Sequence, residues 1–381
     1  MDASLNTGKK NILFSARNLS FILIIAWIAV QTFLFYKNGI LTGFESGKYI
    51  EQADHLIHYR NLSSPNFWMY SVQIFLIAAS LKLTSGFVLV VIVQLFFNAL
   101  ASFYFYQLCK KLSDQRTAFV CTLLLILNFP FQQFNTFLFT ESIFYSFMIL
   151  FSCFLLQLTK LSIKNFLIVI LFLLLICFTR PTGLLLVPCV FIYLFSKFFH
   201  SWPFILKIAG CLMISLLFIF ILNLALGTGG ELNFILPFAE EHIICGVPTL
   251  YSNGQATGNS LWSIFNYIFQ HPGQFLHLAW LRSLAFWGLF RNYFSTGHNF
   301  YLAIYFFPVY LLAIFSLKTW WKKNRAILFF CLALILVTWG TVMLSCDDWH
   351  NRFFLTVMPF IYILSLPSIQ KIIGRFQKND H

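Results

Sequence analysis

Long apolar runs follow one another along almost the whole chain, and short polar segments separate them. A helix needs about 20 predominantly apolar residues to cross the hydrocarbon core of a bilayer. The pattern predicts about ten membrane-spanning helices, at 19–36, 87–108, 118–138, 142–159, 164–180, 183–198, 204–226, 300–317, 326–345 and 352–370. It therefore predicts an all-α polytopic protein, in which residues 1–381 form a single integral membrane domain.

Two further apolar runs, 67–83 and 274–291, carry charged or ionisable side chains. If both are helices on the membrane surface or re-entrant helices, every basic cluster falls on one side of the membrane, as the positive-inside rule expects of the cytoplasm. The prediction is then that both termini are cytoplasmic and that the long loops 37–86 and 227–299 lie outside. The clusters begin at Lys9, Lys110, Lys160, Lys197, Lys318 and Lys371.

Composition and charge agree with this topology. The chain is 59% hydrophobic and only 10% charged, which excludes a water-soluble globular protein. The net charge of +13 comes from short basic runs between apolar segments, so it does not indicate a nucleic-acid partner. On the predicted topology most acidic residues lie outside, namely Glu45, Glu51, Asp54, Glu141, Glu231, Glu240, Glu241, Asp347 and Asp348. Polar chemistry is therefore expected on the outer face.

The first outer loop places Glu45, Glu51 and Asp54 directly after the first span. A partly desolvated carboxylate at this level can accept a proton from an attacking hydroxyl group. The alternative, a solvated acidic loop, has equal support from these residues alone.

Two further candidates lie at the outer ends of spans. Glu141 stands between Thr140 and Ser142, where an ionisable residue is costly unless it is paired or functional. Arg180 precedes Pro181, where a broken helix and a guanidinium together suit an anion such as phosphate. The alternatives are an interfacial acid that reaches water and an arginine that extends to the interface.

The last outer corner, residues 346–352, contains Asp347, Asp348, His350 and Arg352. Two adjacent acids are too few ligands for a hard cation, so no metal site is predicted, although a divalent metal stays open. The nine cysteines resemble small buried hydrophobic residues, and a disulfide between Cys245 and Cys346 stays open because both lie on the predicted outer face.

Five motifs in order resemble those of the GT-C glycosyltransferases, the membrane enzymes that use polyprenyl-phosphate sugars and include protein O-mannosyltransferases and the aminoarabinose transferase. The loop 43–54 is similar to the acidic loop after the first span of that family, with Glu45 where relatives carry Asp. The others are the corner at 140–144, the Arg-Pro-Thr-Gly turn at 180–183, the stretch 271–282 and the ending 351–359.

The resemblance implies the GT-C fold and transfer of a sugar, with inversion, from a polyprenyl-phosphate donor to a glycan or lipid acceptor. It also implies a plasma (inner) membrane location, an extracytoplasmic active site and no cofactor. In this interpretation the candidate catalytic residues are Glu45 as the base, then Asp54 and Glu141. The candidate donor-phosphate ligands are Arg180, Arg352, His350 and Arg282.

Two other functions remain open at this stage. A transporter or flippase for lipid-linked oligosaccharide is expected to carry ionisable residues in mid-span and, in many cases, inverted repeats, and neither is evident here. A polysaccharide polymerase or ligase outside the GT-C class is expected to rely on a late loop with Arg and His. An acid just after the first span disfavours that second alternative.

Overall fold

A computed structural model describes residues 16–199, 202–227, 236–247 and 260–379. The described residues form helices, joined by short 3₁₀ turns and two isolated β-bridges. The helices are α1 (Ala16–Asn38), α2 (Ser46–Tyr59), α3 (Ser71–Thr84), α4 (Val88–Leu112), α5 (Gln115–Ile126), α6 (Phe129–Gln132), α7 (Glu141–Gln157), α8 (Ile163–Thr179), α9 (Leu186–Phe198), α10 (Phe204–Gly227), α11 (Leu236–Ala239), α12 (Leu261–Gln270), α13 (Pro272–Gly288), α14 (Thr296–Lys323), α15 (Arg325–Leu344) and α16 (Arg352–Asn379).

Local sequence explains where several of these helices begin. The side chains of Asp114, Ser162 and Asn324 accept hydrogen bonds from backbone N–H groups in the first turns of α5, α8 and α15. Such caps satisfy donors that have no partner within the helix. Pro272 starts α13, at a position where its missing N–H costs nothing.

The all-α, polytopic prediction is confirmed, and the count of about ten spans stays a prediction. Seven helical segments in the described chain are long and apolar enough to cross a membrane, or eight if a bent pair counts as one span. That pair, Gln115–Ile126 and Phe129–Thr136, turns by 61° inside the predicted span 118–138. The bend lies at Asn128, which caps α6, and at Pro130, which cannot donate a backbone hydrogen bond. Two further apolar helices, α7 and α8, have 17 residues each.

One segment is longer than the sequence pattern predicts. Pro65–Thr84, a 3₁₀ turn followed by α3, reaches 20 residues and is apolar enough to span. Its neighbours nevertheless lie at the same end of the bundle. Leu41, after α1, bridges to Phe137, and Gln94 near the start of α4 donates hydrogen bonds to the carbonyls of Phe137 and Phe139. The chain from α1 to α4 therefore leaves and re-enters the bundle at one end.

The opposite end of the bundle carries lysines. Lys111 donates a hydrogen bond to Gln157, and Lys323 donates one to the carbonyl of Leu112 at 2.6 Å. The acidic corners and the basic clusters thus occupy opposite ends, as the charge pattern predicts. Which end faces the cytoplasm stays a prediction, as does the division into a single domain.

The core lies between these ends, where α4, α5, α7 and α14–α16 pack together. Aromatic rings fill much of it: the rings of Phe131 and Tyr145 stack with centroids 4.7 Å apart, and buried Trp320 donates a hydrogen bond to the carbonyl of Leu364. Large apolar side chains on α1, α10 and α14, such as Phe21 and Phe315, are exposed. An exposed apolar surface of this kind is suited to hydrocarbon rather than water.

Candidate active site

Three separate stretches of chain bring acids to the end of the bundle that lacks the basic clusters. Glu45 lies at the N-terminal boundary of α2, directly after Phe44, whose φ of 55° turns the backbone sharply. Below it, the backbone of Leu41 is hydrogen-bonded to Thr136 and Leu138, and the Ser46 hydroxyl donates to the Leu41 carbonyl. These contacts fix the loop that carries Glu45 against the corner that carries Glu141.

Arg352, the first residue of α16, is the centre of the site. Its Nη1 and Nη2 atoms donate to the two carboxylate oxygens of Glu45, each at 2.7 Å. Nη1 also donates to Oε1 of Glu141 at 2.8 Å, while Nε and Nη2 donate to the two oxygens of Asp348. A guanidinium has five N–H donors, and here the five hydrogen bonds use them all.

Glu141 links the two arginines. Its Oε1 atom accepts from Arg352 and also from Nη1 of Arg180, while Thr140 donates to its other oxygen at 3.3 Å. Arg180 lies between α8 and the 3₁₀ turn that starts at Pro181, so the broken helix places its guanidinium here. We call Glu45, Glu141, Arg180, Asp348 and Arg352 the acid–arginine cluster.

Burial differs sharply within the acid–arginine cluster. The side chain of Glu141 is fully buried, that of Asp348 is 6% exposed and that of Arg352 is 7% exposed. Glu45 is 35% exposed and is therefore the carboxylate that solvent, or a ligand, reaches most easily. Three carboxylates and two guanidiniums leave the cluster with one excess negative charge when all are ionised.

The arginines control the protonation of the acids. Burial alone would raise the pKa of Glu45, but its hydrogen bonds to Arg352 and the charge of that residue lower the pKa to about 2. The pKa of Asp348 is also lowered, since the charge and hydrogen bonds of Arg352 outweigh its burial. Burial lowers the pKa of His350, which favours its neutral form.

A second ionic contact holds the corner before α16. Arg291 donates to Oδ2 of Asp347 at 2.5 Å and to the carbonyl of Asp348 at 3.2 Å. Burial, only partly offset by Arg291, raises the pKa of Asp347 to about 6. Cys245 and Cys346 form the disulfide that the sequence left open. Two backbone hydrogen bonds lie next to this disulfide: the N–H of Cys245 donates to the carbonyl of Asp347, and the N–H of Asp347 donates to the carbonyl of Ile243.

The structure does not bring all the predicted residues into the acid–arginine cluster. Asp54 and Glu51 are exposed on α2, and the carboxylate of Asp54 pairs with His58 instead. Arg282 is fully buried, and its guanidinium donates to the carbonyls of Pro237, His242 and Met343. His350 lies next to the cluster, and its backbone N–H donates to Asp348.

Sequence reasoning missed two residues of this arrangement. Asp348 was considered only as half of a metal-binding pair, although its spacing of four residues from Arg352 on one turn was a signal for an ion pair. Arg291 had no such signal, because its partner is 56 residues away. Among the residues that the structure describes, no group of three or more His, Cys, Asp or Glu is arranged to hold a metal ion.

Comparison with known proteins decides the family. Residues 14–226, more than half of the chain, match the model of the Alg9-like mannosyltransferase family. The chain belongs to that family. Searches of curated proteins and of solved structures give no match.

Membership of the Alg9-like mannosyltransferase family confirms the resemblance noted in the sequence. It makes the chain a multi-pass membrane glycosyltransferase that uses a lipid-linked sugar donor and a glycan acceptor. The match includes Glu45, Glu141 and Arg180 but ends before Asp348 and Arg352. The contribution of Asp348 rests on the geometry, and that of Arg352 rests on the geometry and on the resemblance of the ending 351–359.

Proposed function

We propose that the protein transfers a mannosyl unit, or a closely related hexosyl unit, from a polyprenyl-phosphate carrier at the acid–arginine cluster. The observation that carries this proposal is the convergence of Arg352 and Arg180 with Glu45, the one exposed carboxylate of the cluster, at a single end of the bundle. Two guanidiniums suit a phosphate, and an accessible carboxylate suits the proton of an acceptor hydroxyl.

The proposed reaction is an inverting displacement at the anomeric carbon C1 of the sugar. The acceptor oxygen forms a bond to C1, and the bond between C1 and the phosphate oxygen breaks. Its electron pair leaves with polyprenyl phosphate, whose negative charge Arg180 and Arg352 stabilise. Glu45 takes the proton of the acceptor hydroxyl. Glu141 orients both arginines, since its Oε1 atom accepts hydrogen bonds from the two guanidiniums.

We propose further that the cluster faces the extracytoplasmic side of the membrane. Two features support this side. The disulfide between Cys245 and Cys346 lies next to the cluster, and structural disulfides persist in oxidising compartments. The lysines at the other end of the bundle are the kind of charge that cytoplasmic loops retain.

The test is sugar transfer in proteoliposomes from labelled polyprenyl-phosphate mannose, with the glucose-carrying donor as the comparison and a membrane glycolipid extract as the acceptor. We expect Glu45→Gln to reduce transfer by about 10²–10⁴-fold, the range typical of a lost general base. Glu51→Gln, the same change at an exposed site on α2, serves as the control and should retain transfer. Full transfer by Glu45→Gln removes Glu45 as the base, and no transfer from any lipid-linked donor refutes the reaction.

The proposed side has its own test. A cysteine introduced at Thr84, which is close to the start of α4 at the cluster end, should react with a membrane-impermeant maleimide added to intact cells. Labelling only after permeabilisation would place this end in the cytoplasm and refute the proposed side.

A further inference from the structure

We propose that the phosphate of the lipid-linked donor displaces Glu45 from Arg352, so that binding of the donor releases the carboxylate that accepts the acceptor proton. This inference rests on the proposed function and adds to it an order of events. It starts from the contact between Glu45 and Arg352, in which the candidate base and the candidate phosphate ligand are hydrogen-bonded to each other.

The first step of the argument is that Arg352 has no donor to spare. Its five N–H groups are used by Glu45, Glu141 and Asp348. A phosphate oxygen cannot gain a hydrogen bond from this guanidinium unless a carboxylate leaves. Arg180 differs, because among the described residues only its Nη1 atom has a hydrogen-bond partner, which is Glu141. Arg180 can therefore make the first contact with an incoming phosphate.

The second step identifies the carboxylate that leaves. Glu141 is fully buried and stays bonded to Arg180 and Thr140, and Asp348 stands on the same turn as Arg352. Glu45 is 35% exposed, belongs to a different helix, and has both of its carboxylate hydrogen bonds to Arg352. It is the most exposed of the three carboxylates, and the charge of Lys48 also acts on it, after that of Arg352.

The third step is that the exchange leaves a site of the right shape. When Glu45 moves away, one N–H of Nη1 and one of Nη2 become free, in the two-point geometry that guanidinium groups use for phosphate oxygens. Arg180 lies beside this position, because both guanidiniums donate to the same oxygen of Glu141. A phosphodiester carries one negative charge, as Glu45 does, so the charge opposite Arg352 does not change.

The fourth step concerns the released acid. While Arg352 donates a hydrogen bond to each oxygen, the pKa of Glu45 is about 2, so the carboxylate is a weak base. Once released, the carboxylate faces the solvent-accessible side of the cluster with free lone pairs, and its pKa moves back toward the ordinary value of 4.5. It becomes a stronger base only when a donor is in place, which predicts that the donor binds before the acceptor is deprotonated.

The experiment measures binding of polyprenyl phosphate, used as the probe, to purified full-length protein in nanodiscs. If Glu45 competes with phosphate, Glu45→Gln and Glu45→Ala should bind the probe about three- to tenfold more tightly than the wild type, a modest gain because the displaced pair is partly exposed. Glu51→Gln removes the same charge from an exposed position of the same helix and should leave the dissociation constant unchanged. Thermal unfolding of each variant confirms that it is folded.

The outcomes separate the two proposals. Tighter binding by both Glu45 variants, with no gain in Glu51→Gln, supports the exchange. Equal or weaker binding by the Glu45 variants overturns the exchange and leaves sugar transfer intact if the wild type still transfers. An equal gain in Glu51→Gln also overturns it, because long-range charge then accounts for the effect. Failure of the wild type both to bind the probe and to transfer sugar overturns the proposed function as well.

Discussion

Arg352 should be essential to the stability of the end of the bundle that carries the acid–arginine cluster, and replacing it with methionine gives the clearest test. Arg352→Met keeps a long side chain but removes all five hydrogen bonds and the positive charge. Removing one partner of a buried ion pair costs about 3–5 kcal/mol, because an uncompensated charge is left in a low-dielectric site.

The three acids should contribute unequally to that cost. Glu141 keeps its bond to Arg180, and Glu45 is exposed enough to turn to water, so that its pair contributes about 0.2–1 kcal/mol. Asp348 is 6% exposed and loses its side-chain cation. We therefore expect a total near the lower limit, about 3 kcal/mol, and most of it should come from Asp348.

The assay is thermal unfolding in detergent followed by tryptophan fluorescence. With an unfolding entropy of about 2.1 cal/mol/K per residue, a loss of about 3 kcal/mol in a chain of 381 residues corresponds to a fall in Tm of roughly 4 °C. The control is Arg325→Met, since Arg325 is exposed at the opposite end of the bundle and its Nε atom donates to the carbonyl of Trp321. It should lower Tm by no more than about 1 °C.

The double variant Arg352→Met/Asp348→Asn decides whether the reasoning is correct. Because it removes the unpaired charge together with its partner, it should recover about 1–2 kcal/mol relative to Arg352→Met alone. If the double variant is no more stable than the single one, the cost does not come from an unpaired Asp348. If Arg352→Met unfolds at the wild-type temperature, the cluster does not stabilise the fold.

Three further outcomes follow from the same structure. Cys346→Ser removes a disulfide that joins positions 101 residues apart, and both Tm and sugar transfer should fall. The disulfide stabilises the fold by at most roughly 4–5 kcal/mol, because the helices inside that loop stay inserted in the membrane. In the unfolded, unreduced wild type, no more than seven of the nine cysteines should react with a thiol reagent. Arg282→Met should lower Tm without changing the KM for the donor, because Arg282 donates hydrogen bonds to three backbone carbonyls. A raised KM with an unchanged Tm would instead show that Arg282 binds the donor phosphate. The pKa of Glu45 is lowered in the folded protein, so the ionised Glu45 stabilises the fold fully above its ordinary pKa of 4.5 and loses this effect as the pH falls toward 2. Tm should therefore decline between these pH values, and it should decline less steeply in Glu45→Gln.

The helices were predictable because each depends on a local run of apolar residues. The failures lie where a few polar or imino residues override such a run. The predicted span 118–138 is two helices because Asn128 caps a new helix and Pro130 interrupts the backbone hydrogen bonds. The segment Pro65–Thr84 appeared short because the 3₁₀ turn at its start has no periodic signal of its own.

The sequence predicted individual residues of the site but not their contacts, because the residues in contact are far apart along the chain. Glu45, Glu141, Arg180 and Arg352 each occur in a short motif that can be compared with a family. Their mutual contacts join residues 39, 211 or 307 positions apart, and hydrophobic patterns do not encode such pairs. The same motifs also placed Arg282 among the candidate phosphate ligands and Asp54 second to Glu45 as the candidate base. Only the packing shows that Arg282 holds backbone carbonyls and that Asp54 faces solvent.

The acid–arginine cluster also needs residues from the part of the chain that follows the family match, which ends at residue 226. The matched half supplies Glu45, Glu141 and Arg180, which alone would be two acids facing one cation. Arg352 from the unmatched half supplies the second cation and bonds both acids at once. Its position depends on the corner that the disulfide and the Arg291 contact hold in place. Substitutions should therefore be better tolerated at the exposed apolar positions of α14 than at this corner, where one lost cation would leave buried carboxylates unpaired.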